Sequence, residues 1–256
     1  MFPVLRVGSI ALETGGLIIL LGVGLGTLAT ERAAERRGLP SGPVMSGVTA
    51  GLVAGLIGAR LVYVFRYLPL YAERPLDALA LTPHALSLSG GLLLGAVASL
   101  WRWRRDRVGI GAALDCSTRG LATVFLAIAL SHLASGEAFG SPSEVPWAVE
   151  QWGAMRHPTP VYEALAAAGV LAVVFRRDDQ QPGTTFTLWV VLASTSRLLI
   201  EAFRGDSLTL AGGLRQAQLA AVGVSVAALW AHGWLTRGRS IPEAVTMAHE
   251  SSTTAR

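Results

Sequence analysis

The chain contains no lysine, and all 21 of its basic residues are arginine. No physical requirement of a fold explains that choice, and it reads as a compositional bias of the coding sequence. A single cysteine, Cys116, excludes a disulfide framework and a cysteine metal site. The histidines show no HxxxH or HExxH spacing, so no metal and no cofactor is expected. Charge is scarce, at 15% of residues, where a soluble domain usually carries about a quarter. No basic run interleaves with aromatic residues, which argues against a nucleic-acid partner. No internal repeat with broken helices at matching positions is visible, which argues against a small-solute transporter.

What is abundant is apolar. The chain is 52% hydrophobic, with a mean hydropathy of +0.49. Seven apolar runs are legible, at residues 10–29, 44–65, 85–103, 110–133, 158–175, 184–203 and 214–235. Each is about long enough to span a bilayer core. A cleaved signal peptide is the rival reading of the first run. Glu13 interrupts that run, and a charged stretch from Glu31 to Arg37 follows it in place of a small-residue cleavage site, so it is expected to be a retained helix. The expected fold is therefore all-α: a polytopic membrane protein with one seven-helix domain over residues 1–239. A polar tail, 240–256, is expected to be disordered. The loops after runs one, three, five and seven carry Arg32, Arg36 and Arg37, then Arg102, Arg104, Arg105 and Arg107, then Arg176 and Arg177, then Arg237 and Arg239. They outnumber Arg6, Arg66, Arg74, Arg156, Arg204 and Arg215 on the other side, which places the N-terminus outside and the C-terminus in the cytoplasm.

Charges inside the apolar runs carry the functional signal. An arginine at a bilayer centre costs about 2.5–3.5 kcal/mol on insertion scales, so it faces the bundle interior or water and needs anionic partners. Arg60, Arg119 and Arg197 are such residues. Asp115 with Arg119, and Arg197 with Glu201, are spaced to pair along one helix face. Structural pairing is one reading of them. The other is phosphate binding, which suits the planar arginine fork; Arg60, Arg197 and Arg204 outnumber their local carboxylates and favour it. A second stretch, from Met155 to Ala164, joins a polar loop to an apolar helix. Pro158 and Pro160 suit a helix start, and His157, Tyr162 and Glu163 sit where water meets the membrane.

These residues resemble the prolipoprotein diacylglyceryl transferase family. His157 to Glu163 is similar to its HPxxLYE motif, and Arg197 to Arg204 to its RxxxExFR motif, with Asp206 following at its polar turn. Gly58, Arg60 and Tyr63 match GxRxxYV. Ser87 to Gly91 falls at SFHGG, Glu137 and Gly140 fall at NGExxG, and Gln218 matches a glutamine opening the last helix. The likeness runs in order from about residue 4 to 235. It implies transfer of a diacylglyceryl group from phosphatidylglycerol to the thiol of a lipobox cysteine in a prolipoprotein signal peptide, in the bacterial inner membrane, with membrane lipid and that peptide as partners. Arg197 and Arg60 would bind phosphate, and Glu137, His157, Tyr162 and His132 would position the substrate or a proton. Glu201 and Arg204 would hold Arg197, with Tyr63, Gly136, Gly140 and Gln218 lining the headgroup site.

The chain also departs from the family. The signature GRxGNFxNGE has Ala129 in place of its arginine, and His132 and Ser135 in place of its asparagines. Ser89 replaces the histidine of SFHGG, and Gly15 stands where the family usually has a tyrosine. A non-catalytic lipid- or lipoprotein-binding relative is the alternative that these departures leave open. A reporter active only in the periplasm, fused after Arg239, is expected to stay silent; strong periplasmic activity would overturn the span count.

Overall fold

The computed structural model describes residues 4–7, 10–73, 75–80, 85–177, 181–210, 213 and 215–237. The polar tail, Arg74 and Arg239 lie outside the described residues. The chain divides between Glu137 and Ala138 into two compact units.

A backbone in hydrocarbon must satisfy its own hydrogen bonds, and a helix does so within one segment. The apolar runs accordingly form helices. In the first unit these are α1 (Thr14–Arg36), α2 (Ser41–Arg66), a short α3 (Leu68–Glu73), a 3-10 turn (Pro75–Leu79), α4 (Leu88–Arg105) and α5 (Ile110–Ser135). The second unit holds α6 (Thr159–Arg176), α7 (Thr184–Glu201) and α8 (Gln216–Arg237). Leu20 and Leu21 on α1, Leu92 and Leu93 on α4, and Trp230 and Trp234 on α8 lie exposed, a surface suited to lipid rather than water. The chain is a mostly helical, polytopic membrane protein.

Among the described residues five helices, α1, α2, α5, α6 and α8, are long and apolar enough to cross a membrane. Seven apolar runs were expected to do so. All seven form helices, but Arg102, Arg104 and Arg105 in α4, and Arg197 and Glu201 in α7, make those two more polar, although they are as long as α6. Two short hairpins add to the expected all-α plan. Strands β1 (Val4–Val7) and β2 (Ile10–Glu13) pair antiparallel, so the first helix begins at Thr14 and not at residue 10. Strands β3 (Val149–Gln151) and β4 (Ala154–Arg156) pair within the polar loop that precedes α6.

Small residues set the packing of the first unit. α1 lies on α5 and α2 on α4. Gly58 and Gly90 bring α2 and α4 so close that a Cβ on Gly90 would lie 2.6 Å from the Gly58 carbonyl oxygen. At the other end of this pair Trp103 is buried, and its indole N–H donates to Val44 O at 3.0 Å. The ring fills the space over Gly47, where a Cβ would meet its Nε1 at 2.0 Å. Ala33, Ala34, Val44, Val108, Ala113 and Cys116 complete this small core. Beside it Arg37 pairs with the buried Asp115 at 3.1 Å, a partner from another helix end that i, i+4 spacing does not reveal.

Gly47→Val is expected to cost about 1–3 kcal/mol, because the rigid indole cannot yield without leaving its hydrogen bond. Gly24→Ala, with nothing near its added Cβ, is expected to be neutral. Thermal unfolding in detergent distinguishes them, and equal midpoints would contradict the packing described.

Candidate active site

In the second unit the site is assembled by backbone before any side chain takes part. Residues 139–143 run antiparallel to the turn after α7. Ser141 N donates to Phe203 O at 2.8 Å, and Gly205 N to Phe139 O at 2.8 Å, with Gly140 opposite Arg204. On its other side the same segment takes His157 N on Ser141 O at 3.1 Å. Gly140 is obligatory in this sandwich, since a Cβ there would lie 2.2 Å from His157 O. Thr159 Oγ1, fully buried at the start of α6, donates to Ala138 O at 2.5 Å. His157, the α6 N-terminus and Arg204 are thereby fixed together.

An aromatic group forms on this base. The His157 ring meets Phe203 edge-on at 5.1 Å between centroids, and Tyr162 meets Phe203 at 6.1 Å. The Trp147 indole N–H donates to Tyr162 Oη at 2.7 Å, and His157 Nδ1 lies 3.4 Å from the same oxygen. An imidazole and a phenol are so held in contact, the pair of groups a proton transfer uses.

Next to it lies a network of ion pairs. Glu163 Oε1 on α6 accepts from Arg197 Nη1 at 3.1 Å and from Arg204 Nη1 at 2.5 Å. Arg197 Nη2 lies 2.8 Å from Glu201 Oε2, an ion pair without the alignment of a hydrogen bond. Arg204 grips Asp206 with two bonds, Nε to Oδ1 at 2.9 Å and Nη2 to Oδ2 at 2.6 Å. Burial works against the Arg204 charge, but the Asp206 bonds and the charge of Glu163 outweigh it, so this guanidinium is protonated even more firmly than usual.

By local spacing these arginines outnumber their carboxylates, but the structure pairs both. Glu163, from a different helix, and Asp206, from the turn, supply the missing carboxylates. The Arg204 side chain is 10% exposed and that of Arg197 38%. Arg197 is thus the accessible member, braced from behind by Glu163 and Glu201.

The remaining candidates belong to the first unit, apart from Gln218, which is half-buried in the first turn of α8. Arg60 is buried and donates to three carbonyls of the loop after α2: Nε to Ala78 O at 2.9 Å, Nη1 to Ala85 O at 3.0 Å and Nη2 to Asp77 O at 2.6 Å. Its guanidinium also lies over Tyr71 at 5.2 Å and Tyr63 at 6.0 Å. Gly136 ends α5 in the left-handed region, φ 79°, with its N–H on His132 O at 3.0 Å. Glu137 follows, exposed, and His132 is half-buried on the last turn. Ala129 is buried, and a Cβ on Gly15 would sit 2.8 Å from Ser131 Oγ, so the tight approach of α1 to α5 leaves no room for a tyrosine there. Ser89 is exposed and shares a hydrogen bond with Ser87. Trp147, Arg156 and Arg215 take part in the second unit's site without having been singled out, because they come from loops, where no periodicity marks them; Phe203 lies within the RxxxExFR-like stretch, which gave it no role.

Fold and site together define a polytopic helical membrane protein with carboxylate-braced arginines beside a histidine–tyrosine pair. Its sequence matches the family profile of prolipoprotein diacylglyceryl transferase over residues 3–234. The phosphatidylglycerol–prolipoprotein diacylglyceryl transferase of Gloeobacter violaceus is 31% identical over 94% of this chain and 95% of the relative. Those of Symbiobacterium thermophilum and Clostridioides difficile are 30% and 28% identical, over 91% and 87% of this chain and 92% and 90% of the relatives. The chain belongs to the prolipoprotein diacylglyceryl transferase family.

Glu163→Gln is expected to destabilise the second unit by about 3–5 kcal/mol, because the Arg204 charge, largely buried, loses its cross-helix partner. Thermal unfolding in detergent would show the loss, and an unchanged midpoint would mean that Asp206 and Glu201 suffice.

Proposed function

We propose that this chain transfers the diacylglyceryl group of phosphatidylglycerol to the lipobox cysteine thiol of a prolipoprotein. The sulfur attacks the glyceryl carbon that carries the phosphate. The carbon–sulfur bond forms, the carbon–oxygen bond breaks, glycerol phosphate leaves, and the thiol proton passes to a base. Family membership supports the reaction and speaks against a non-catalytic relative. The observation that carries the site is Arg197: half-exposed, yet fixed at both Nη atoms by Glu163 and Glu201. A guanidinium oriented in advance stabilises charge as it develops on a leaving phosphate.

In this reading Arg197 meets the phosphate. Glu163 and Glu201 aim it, and Arg204 locks Glu163 in place. His157 and Tyr162 handle the proton or the acceptor, and Gly140 allows their close approach. In the first unit, Arg60 with Tyr63 shapes the loop after α2, and Glu137, His132 and Gly136 form a second polar group at the end of α5. Gln218 opens α8 on the headgroup side. All seven long helices span the inner membrane, with the N-terminus outside and the C-terminus in the cytoplasm. The charges that make α4 and α7 more polar are then of two kinds: juxtamembrane arginines in the first, site residues in the second.

Arg197→Lys keeps the charge and loses the fork. It is expected to leave the protein inserted and to cut transfer to a lipobox peptide about tenfold, about 1.4 kcal/mol of transition-state binding. Arg197→Gln is expected to be worse. Full activity in Arg197→Gln would return the residue to a structural clamp.

A further inference from the structure

Four arginines surround the crossing of residues 139–143 with 203–205, and their nitrogens have distinct uses. Arg204 engages all three nitrogens with carboxylates. Arg197 uses both Nη atoms, again on carboxylates. Arg156 donates Nε to Gln151 O at 3.0 Å and Nη1 to Gly140 O at 3.1 Å, and lies over the Phe139 ring at 5.2 Å. Arg215 is different. Its Nη1 makes every bond the side chain has among the described residues: to Glu201 O, to Arg204 O at 2.8 Å and to Ser207 Oγ at 3.2 Å. All three acceptors are neutral. Among the described residues Nε and Nη2 meet no acceptor, and no carboxylate lies within ion-pair reach.

Those two nitrogens form the side-on edge of the guanidinium. It is the edge that Arg204 turns on Asp206, and its spacing matches two oxygens of a carboxylate or phosphate. Capping the end of α7 accounts for Nη1 on the Glu201 carbonyl. It leaves the Nε/Nη2 edge without a function. Charge points the same way. Glu163, Glu201 and Asp206 all contact Arg197 or Arg204 and offset three of the four arginine charges, so an anion entering this group meets one net positive charge, with Arg215 and Arg156 the two arginines that touch no carboxylate among the described residues. Of those two, only Arg215 has the side-on edge open.

We propose that the Nε/Nη2 edge of Arg215 is a phosphate-ester fork. It takes the phosphodiester of a glycerophospholipid headgroup or the glycerol phosphate released from it. The proposal rests on the transfer reaction above and adds a second guanidinium to Arg197. Arg215 is anchored through the same turn that positions Arg204, so its fork is held where the site's backbone is most constrained.

The test is a kinetic comparison of wild type, Arg215→Lys and Arg215→Gln in mixed micelles, with a lipobox peptide as acceptor. If the fork holds the donor, the KM for phosphatidylglycerol rises about tenfold in Arg215→Gln, the worth of a lost charge-assisted bond pair, with kcat much less affected. If it holds the product, inhibition by added glycerol phosphate weakens by a similar factor instead. Arg215→Lys falls between, because an ammonium keeps charge without the fork. A lowered thermal midpoint with both constants unchanged would make Arg215 a helix cap and overturn the proposal. Should Arg215→Gln fail to fold, the wild-type protein still decides. Phenylglyoxal modification of Arg215, read by peptide mass, is expected to slow in phosphatidylglycerol nanodiscs or with glycerol phosphate, relative to neutral-lipid nanodiscs. No slowing in either arm overturns the proposal. Protection needs no turnover, so a wild type that fails to transfer would sink the reaction while the fork is judged separately.

Discussion

One carboxylate holds the second unit's site together. Glu163 Oε1 accepts from Arg197 and from Arg204, so a single oxygen ties the start of α6 to the end of α7 and to the turn beyond it. The Arg204 side chain is largely buried and would be costly without an acid, and Glu163 shares its charge between Arg204 and Arg197. The consequence is an asymmetry. Arg204 is buried and saturated by Glu163 and Asp206, which makes it part of the frame. Arg197 is fixed through both Nη atoms by Glu163 and Glu201 yet remains the more exposed of the two. Rigid support behind an accessible cation is what preorganised electrostatic catalysis requires.

The backbone prepares this arrangement. The crossing at Gly140 and Arg204 brings a loop residue against the turn after α7, and the sandwich leaves no space for a side chain at 140. His157 is bonded to the same segment through Ser141, and Phe203 supplies the ring on which His157 and Tyr162 rest. The His157–Tyr162 pair and the charged pair are thus positioned by adjacent residues of one turn, Phe203 and Arg204. A disturbance of that turn would reach both.

Much of this was legible in the sequence, and the limits have physical causes. Hydropathy located every long helix, because a membrane helix must be apolar over its length. It misplaced the first boundary, since residues 10–13 are as apolar in a strand as in a helix. The Arg197–Glu201 pair followed from i, i+4 spacing, and the HPxxLYE-like and RxxxExFR-like stretches drew attention to two helix ends that the structure brings together. That Glu163 would join them did not follow, because a contact between α6 and α7 has no period along the chain. For the same reason Asp115 could be matched with Arg119 by spacing, but not with Arg37, and the three loop carbonyls that Arg60 holds were invisible. Departures such as Gly15 gain a reason only from packing: the α1–α5 approach there excludes a large side chain.

The most direct measurement of the central claim is complementation. A bacterial strain depleted of its own diacylglyceryl transferase would express this chain, and conversion of a reporter prolipoprotein to its lipid-modified form would be followed by labelling with phosphatidylglycerol bearing a marked diacylglyceryl group. The account predicts growth and label on the lipobox cysteine. Normal insertion of the chain with neither growth nor label would contradict it.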